Sequence, residues 1–231
     1  MEGLKNKGIL LTGGSAGIGE AIVRMATAAG ARVVFTGRDQ ARIDKVAKET
    51  GAMGIRADVS VPADNARVAD EALRQLGGIG VLVNNAAFGY GAPIGELDVD
   101  RMKAMFDTNI FGLVDLTNRL VPAMKAGGGG DIVNIASTSG MKGHANGTAY
   151  SGSKWALRGI SQCWQAELRP HDIRVVCVCP SEVQTGWGGH VGRDNPNKLF
   201  AEDIARVVLD AVVLPRRVLL PEFAVFATNP F

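Results

Sequence analysis

Residues 8–29 carry the feature that most narrows the fold. Gly8-Ile9-Leu10-Leu11 is a short apolar run suited to a buried strand. Thr12-Gly13-Gly14-Ser15-Ala16-Gly17-Ile18-Gly19 follows with no spacer, and the residues after it read as a helix that stops at Gly30. A strand, a glycine loop and a helix in direct succession make a phosphate cradle. The glycines permit a tight turn and a close approach of pyrophosphate, and the helix N-terminus supplies N–H groups and the positive end of its dipole. The spacing is Gly-x-x-x-Gly-x-Gly rather than the commoner Gly-x-Gly-x-x-Gly, and no Gly-Lys-[Ser/Thr] follows, which excludes a P-loop.

Strand-like and helix-like runs alternate along the rest of the chain. Strands are expected near 8–12, 32–36, 53–57, 79–84, 131–136, 173–179 and 217–220. Helices are expected near 17–29, 39–50, 62–76, 98–125, 148–169 and 201–213. Such alternation implies right-handed crossovers and an α/β fold, a parallel sheet of about seven strands with helices on both faces. A length of 231 residues suits one such domain, and no linker or repeat divides it. Gly127–Gly130 reads as a flexible turn before the fifth strand.

Two further stretches bear on chemistry. Tyr150 and Lys154 lie four residues apart in Ala149-Tyr150-Ser151-Gly152-Ser153-Lys154, so phenol and ammonium share a helical face. A fixed cation lowers a phenol pKa, and a phenol so tuned exchanges a proton with a substrate oxygen near neutral pH. The pair is also a common surface arrangement, and only its context points to catalysis. Ser137 ends the apolar run 131–136 and lies 13 residues before Tyr150. Ligands of open α/β sheets bind beyond the carboxyl ends of strands. Ser137 is therefore either a donor to a substrate oxygen or a hydroxyl capping its own turn. Asn84-Asn85-Ala86-Ala87, after the apolar stretch 79–83, taken alone reads as a turn.

Taken in order, the glycine loop at 12–19, Asp58, Asn84 to Ala86, Asn109, Ser137, Tyr150, Lys154 and the Pro-x-x-x-x-Thr segment Pro180 to Thr185 resemble the short-chain dehydrogenase/reductase family. The likeness runs from about residue 5 to about residue 221. Two positions depart from the family pattern: Ala87 and Ser181 stand where glycine is usual, which changes backbone freedom rather than chemistry.

The resemblance implies a Rossmann-like doubly wound sheet and a set of site residues. Gly13, Ser15, Gly17, Ile18 and Gly19 would cradle the cofactor pyrophosphate. Asp58 and Val59 would meet the adenine, and Asn84 and Ala86 the adenosine side. Pro180, Val183 and Thr185 would fix the nicotinamide carboxamide, and Lys154 its ribose. Ser137 and Tyr150 would hold the substrate oxygen, with Tyr150 as proton donor and Asn109 positioning a water beside Lys154. The implied activity is hydride transfer to a ketone, aldehyde or 3-oxoacyl carbonyl. The alternatives are an NAD-dependent alcohol or sugar dehydrogenase, a subunit of a larger acyl-processing assembly, and a cofactor-binding regulatory protein.

NADP(H) is the expected cofactor, with NAD(H) possible. An NAD-selecting site places a carboxylate at the end of the second strand. Gly37 stands there, followed by Arg38, whose guanidinium suits a 2′-phosphate, and by Asp39, which suits a helix cap. Phe88, Tyr90, Met141, His144 and Trp187 are candidate pocket residues, an apolar set that favours a neutral substrate. Residues 186–200 are glycine-rich and expected to form a mobile lid, with Arg193 and Lys198 as its basic residues.

Net charge is +2 with scattered Lys and Arg, which argues against nucleic-acid binding. No apolar run approaches the roughly 20 residues of a membrane span. The N-terminus has no signal-like apolar segment, so a cytoplasmic location is expected. Cys163, Cys177 and Cys179 are expected to be reduced and structural, and no metal site is expected. The family implies a homodimer or homotetramer. Phe106, Phe111, Leu113, Trp155, Leu157 and Trp164 are either helix–helix interface or core.

Overall fold

The computed structural model describes residues 2–186 and 195–229. The strands are β1 (Gly8–Leu11), β2 (Arg32–Gly37), β3 (Met53–Arg56), β4 (Val81–Asn84), β5 (Gly130–Ile135), β6 (Ile173–Pro180), β7 (Val183–Gln184), β8 (Leu199–Phe200) and β9 (Glu222–Val225). The helices are α1 (Gly17–Ala28), α2 (Gln40–Thr50), α3 (Pro62–Leu76), α4 (Val99–Phe106), α5 (Leu113–Ala126), α6 (Thr148–Leu168) and α7 (Ala201–Val213).

Seven strands form one parallel sheet in the order β3-β2-β1-β4-β5-β6-β9. The strands are apolar throughout because both faces are covered, and period-two alternation divides their side chains. Ile9, Leu11, Val81 and Val83 pack with Ile22 of α1 and Leu209 of α7. Leu10 and Leu82 point the other way, onto Val68 of α3 and Leu116 of α5. On that second face, Cys177 and Cys179 of β6 pack against Leu157 of α6, so both thiols face one side as expected. All three cysteines are free, and Cys163 is exposed rather than packed. The chain order reverses between β1 and β4, and this switch point opens a crevice at the carboxyl ends of the strands.

Three expectations are corrected. The last strand is Glu222–Val225, not 217–220. Upstream, the Arg174 guanidinium collects the carbonyls of Val212, Leu214, Pro215 and Val218, which holds that segment in turns. Pro221 has no N–H to donate, and the ladder with β6 starts after it. The long helix at 98–125 is interrupted by a π-helical stretch, Asp107–Gly112. There Gly112 lies so close to Val59 that a Cβ would come within 2.1 Å of the Val59 carbonyl oxygen. Leu199–Phe200, expected as loop, pairs with β7.

Candidate active site

The glycine loop is tied to the end of β4 by side chains. Asn85 and Ala86 donate their backbone N–H groups to Thr12 Oγ1 at 3.1 and 3.0 Å. Asn85 Nδ2 donates to the carbonyls of Thr12 and Gly13 at 3.0 and 3.1 Å. Gly13 (φ 70) and Gly17 (φ 55) sit in the left-handed region, which a Cβ would strain. Ala16 precedes α1 and caps it with no side chain, so the first-turn N–H groups stay available to an anion.

This loop forms one wall of a cavity of about 1030 Å³ along the carboxyl ends of the strands. Gly13, Ser15, Gly17 and Ile18 line it, as do Arg38, Asp58 and Val59 beyond β2 and β3, and Ala86 beyond β4. Ser137, Tyr150 and Lys154 line the other end, facing Pro180, Val183 and Thr185. Gly19, Asn84 and Asn109 do not reach the wall. Gly19 is a packing glycine, since its Cβ would lie 2.1 Å from the Gly13 carbonyl oxygen. Asn84 is buried and donates to Thr117 and Asn134. Asn109 lies in the π-helical stretch, 1 % exposed. Its amide pairs with both backbone groups of Phe88 and donates to Ser153 Oγ, which anchors the loop after β4.

At the carboxyl end of β2, an added Cβ at Gly37 would lie 2.5 Å from Ser15 Oγ. Arg38 is 68 % exposed and pairs with Asp58 at 3.7 Å. Asp39 caps α2 by accepting from the Arg42 backbone N–H, and this turn sets Arg42 on the cavity wall as a second guanidinium.

At the other end, Ser137 caps its own turn and faces Tyr150. Its Oγ accepts from the Ser139 N–H at 3.1 Å, capping the short turn Thr138–Gly140, and it also hydrogen-bonds Tyr150. Lys154 is 3 % exposed and donates to the Ile135 carbonyl at 2.9 Å. Its Nζ lies 5.8 Å from the centre of the Tyr150 ring. Burial pulls the ammonium pKa down to about 8. Burial pushes the Tyr150 phenol above its ordinary value, opposed by the Ser137 hydrogen bond. A lowering by Lys154 was expected; the shift is upward instead, with burial outweighing the Ser137 hydrogen bond.

The turn after Ser137 is held down on α6. A Cβ on Gly140 would lie 2.7 Å from the Lys154 carbonyl oxygen. Arg158, one turn beyond Lys154, donates to the Gly140 carbonyl and pairs with both oxygens of Glu222 on β9 at 2.7 Å. The Glu222 carboxylate and the Cys177 and Cys179 thiols lie within 4.8 Å of one another, with the carboxylate committed to Arg158.

The expected apolar pocket is not what lines the cavity. Phe88, Tyr90, Met141 and His144 are absent from its wall, and Trp187 and Arg193 lie outside the described residues. Tyr90 instead accepts from the Asp98 N–H at the start of α4, with Arg101 stacked 4.0 Å from its ring. His144 sits 3.3 Å from Ser139 Oγ. Ser139, Glu182, Gln184, Asn195 and Lys198 take their place, a polar set. Gln184 pairs with both backbone groups of Asn195, and Lys198 pairs with Glu182 at 2.6 Å. Of these, Lys198 is singled out by the sequence as a basic residue of the 186–200 segment; the others, and Arg42 beyond β2, are not.

A family model described as short chain dehydrogenase matches residues 7–196. An uncharacterized oxidoreductase of Staphylococcus saprophyticus is 33 % identical over 232 residues, spanning 96 % of this chain and 97 % of the relative. Among solved structures, a closed serine dehydrogenase complexed with NADP+ has a TM-score of 0.88 at 30 % identity, with 94 % of each chain covered. A 3-ketoacyl-(acyl-carrier-protein) reductase from Brucella melitensis complexed with NADH has a TM-score of 0.91 at 26 % identity, covering 99 % of this chain and 100 % of that one. The chain belongs to the short-chain dehydrogenase family, oxidoreductases of alcohol and carbonyl groups.

Proposed function

We propose that the protein is an NADPH-dependent carbonyl reductase with Tyr150 as proton donor. The observation that carries this reading is the sharing of one cavity by a phosphate cradle, two guanidiniums and the Ser137–Tyr150–Lys154 cluster. The cradle suits a dinucleotide: the loop glycines leave room where a Cβ would strain or collide, and α1 offers uncapped N–H groups. At the adenosine end, a side chain at position 37 would have to displace Ser15, while Arg38 and Arg42 provide charge for a 2′-phosphate. Asp58 beside Arg38 is the one feature that favours NADH instead. Asp58, Val59 and Ala86 would hold the adenosine, and Pro180, Val183 and Thr185 the nicotinamide. When bound, NADPH supplies the hydride.

The chain's own residues manage the proton. Tyr150 holds its proton at neutral pH because burial raises its pKa, as a donor in the reducing direction must. Ser137 Oγ hydrogen-bonds the phenol and turns its one O–H to the substrate oxygen when substrate is bound. As Tyr150 gives up its proton, the buried Lys154 ammonium stabilises the phenolate left behind. Asn109 acts as a positioning residue, through its grip on Phe88 and Ser153. The polar wall of Ser139, Gln184 and Asn195 supports a small polar carbonyl compound as substrate.

We also propose a homo-oligomer. Phe111 (61 % exposed) and Trp155 (49 %) lie outside the core on α6 and the preceding π stretch, whereas Leu113 and Leu157 are buried.

The test is NADPH oxidation followed at the nicotinamide absorbance with aldehydes, ketones, 3-oxo acids and 3-oxoacyl thioesters, with NADH in parallel. Turnover that is faster with NADPH is expected. Turnover with NADH alone would overturn the cofactor reading and favour an NAD-dependent alcohol dehydrogenase.

A further inference from the structure

A second cavity of about 370 Å³ opens at the opposite end of the sheet, where β5 and β6 begin. Arg169, Arg174, Arg216 and Arg217 line it together with Asp172. Two of these arginines are structural. Arg174, 7 % exposed, pairs with the buried Asp131 at 2.6 Å and spends its other N–H groups on backbone carbonyls. Arg216 pairs with Asp131 and Asp172 and donates to the carbonyls of Gly130 and Asp172. The guanidiniums of the other two, Arg169 and Arg217, have no hydrogen-bond or ion-pair partner among the described residues. Four guanidiniums thus face two carboxylates, and both carboxylates are already engaged. The surplus is two positive charges, carried by two side chains free to turn toward a ligand.

The rest of the wall is partly apolar. Ile173, Val175 and Leu219 lie beside the arginines, and Gln165 is held at the back by the carbonyls of Val175 and Pro221. Small-ligand sites have this mixed character and comparable volume. A phosphate monoester carries about −1.5 to −2 charges at neutral pH and offers three acceptor oxygens. Guanidinium forks suit such a group. An organic body would lie on the apolar wall, which a bare inorganic ion would leave uncovered.

We propose that this cavity binds a small phosphate monoester through Arg169 and Arg217, at a site separate from the dinucleotide cavity. The proposal does not depend on the carbonyl-reductase reading. The test is a calorimetric titration with phenyl phosphate at constant ionic strength, since screening weakens exposed pairs. The proteins are the wild type, Arg169→Gln/Arg217→Gln, and Arg38→Ala as a control for entry into the cofactor cavity. Saturable binding to the wild type is expected, weaker by roughly tenfold or more in the double variant, which loses two charge-assisted contacts, and unchanged in Arg38→Ala. Inorganic phosphate and succinate are expected to bind more weakly than phenyl phosphate. No saturable binding, equal binding by the double variant, or loss confined to Arg38→Ala would overturn the proposal. Both arginines are exposed, so their replacement leaves the core intact.

Discussion

Gly37 and Arg38 show how much one residue decides. Glycine at 37 lets Ser15 pack where a Cβ would collide, and the next side chain is a cation on the cavity wall. Replacing Arg38 by Asp is expected to raise the KM for NADPH by about tenfold or more, with NADH far less affected, because a charge-assisted contact becomes a repulsion. Steady-state kinetics with both cofactors checks this, and equal losses would sink the NADP reading. Tyr150→Phe is expected to reduce turnover by roughly 100-fold or more while cofactor still quenches tryptophan fluorescence with unchanged affinity. Retained turnover would remove Tyr150 from its role. Lys154 makes a prediction about stability. Its folded pKa of about 8 lies below the ordinary 10.5. Between those values the unfolded chain binds a proton that the folded chain has released, so this group makes stability rise with pH across that window. Below pH 8 it is a net cost, on the order of 3 kcal/mol. Lys154→Met is therefore expected to be more stable than the wild type at pH 7, with the gap closing toward pH 10.5; denaturant melts at a series of pH values would show it.

At the scale of elements, the site is an assembly of strand ends held together by side-chain hydrogen bonds. Thr12 and Asn85 lash the β1 loop to β4. Arg158 joins α6, the turn after Ser137 and the edge strand β9. Breaking that brace with Arg158→Ala should lower stability by about 2 kcal/mol, from a partly buried ion pair and a lost carbonyl partner. Because the Ser137 turn also loses its anchor, kcat should fall while cofactor affinity holds. A drop in melting temperature with kcat untouched would mean that the brace serves the edge strand alone. The sequence carries the tyrosine and lysine plainly, through their helical spacing. It carries no trace of Arg158 as a brace, since Glu222 is 64 residues away and only the sheet order brings the two together.

At the scale of the whole molecule, Phe111 and Trp155 are among several large apolar side chains left exposed, with Ile94, Val99 and Phe226. Such residues on neighbouring helical segments suit association of copies. Phe111→Arg/Trp155→Arg is expected to shift sedimentation velocity to the monomer while the circular dichroism spectrum stays the same. A wild type that already sediments as a monomer would refute the assembly. No helix of the described residues is long and apolar enough to cross a membrane.

Local chemistry is what the sequence alone determined. Apolar runs, glycine loop and helix periods specify β1, α1 and the parallel α/β order, because strand and helix periods are properties of neighbouring residues. The spacing of Tyr150 and Lys154 and the cap at Asp39 are legible for the same reason. The tertiary structure alone decided whatever depends on long-range packing. It moved the last strand to Glu222–Val225, because Arg174 captures the carbonyls before it. It turned the side chains of Asn84 and Asn109 to buried partners, and among the described residues it put Ser139, Gln184 and Asn195 on the cavity wall in place of Phe88, Tyr90 and Met141. It also set the proton affinities of Tyr150 and Lys154, since desolvation depends on everything packed around a group and not on the residues beside it in the chain.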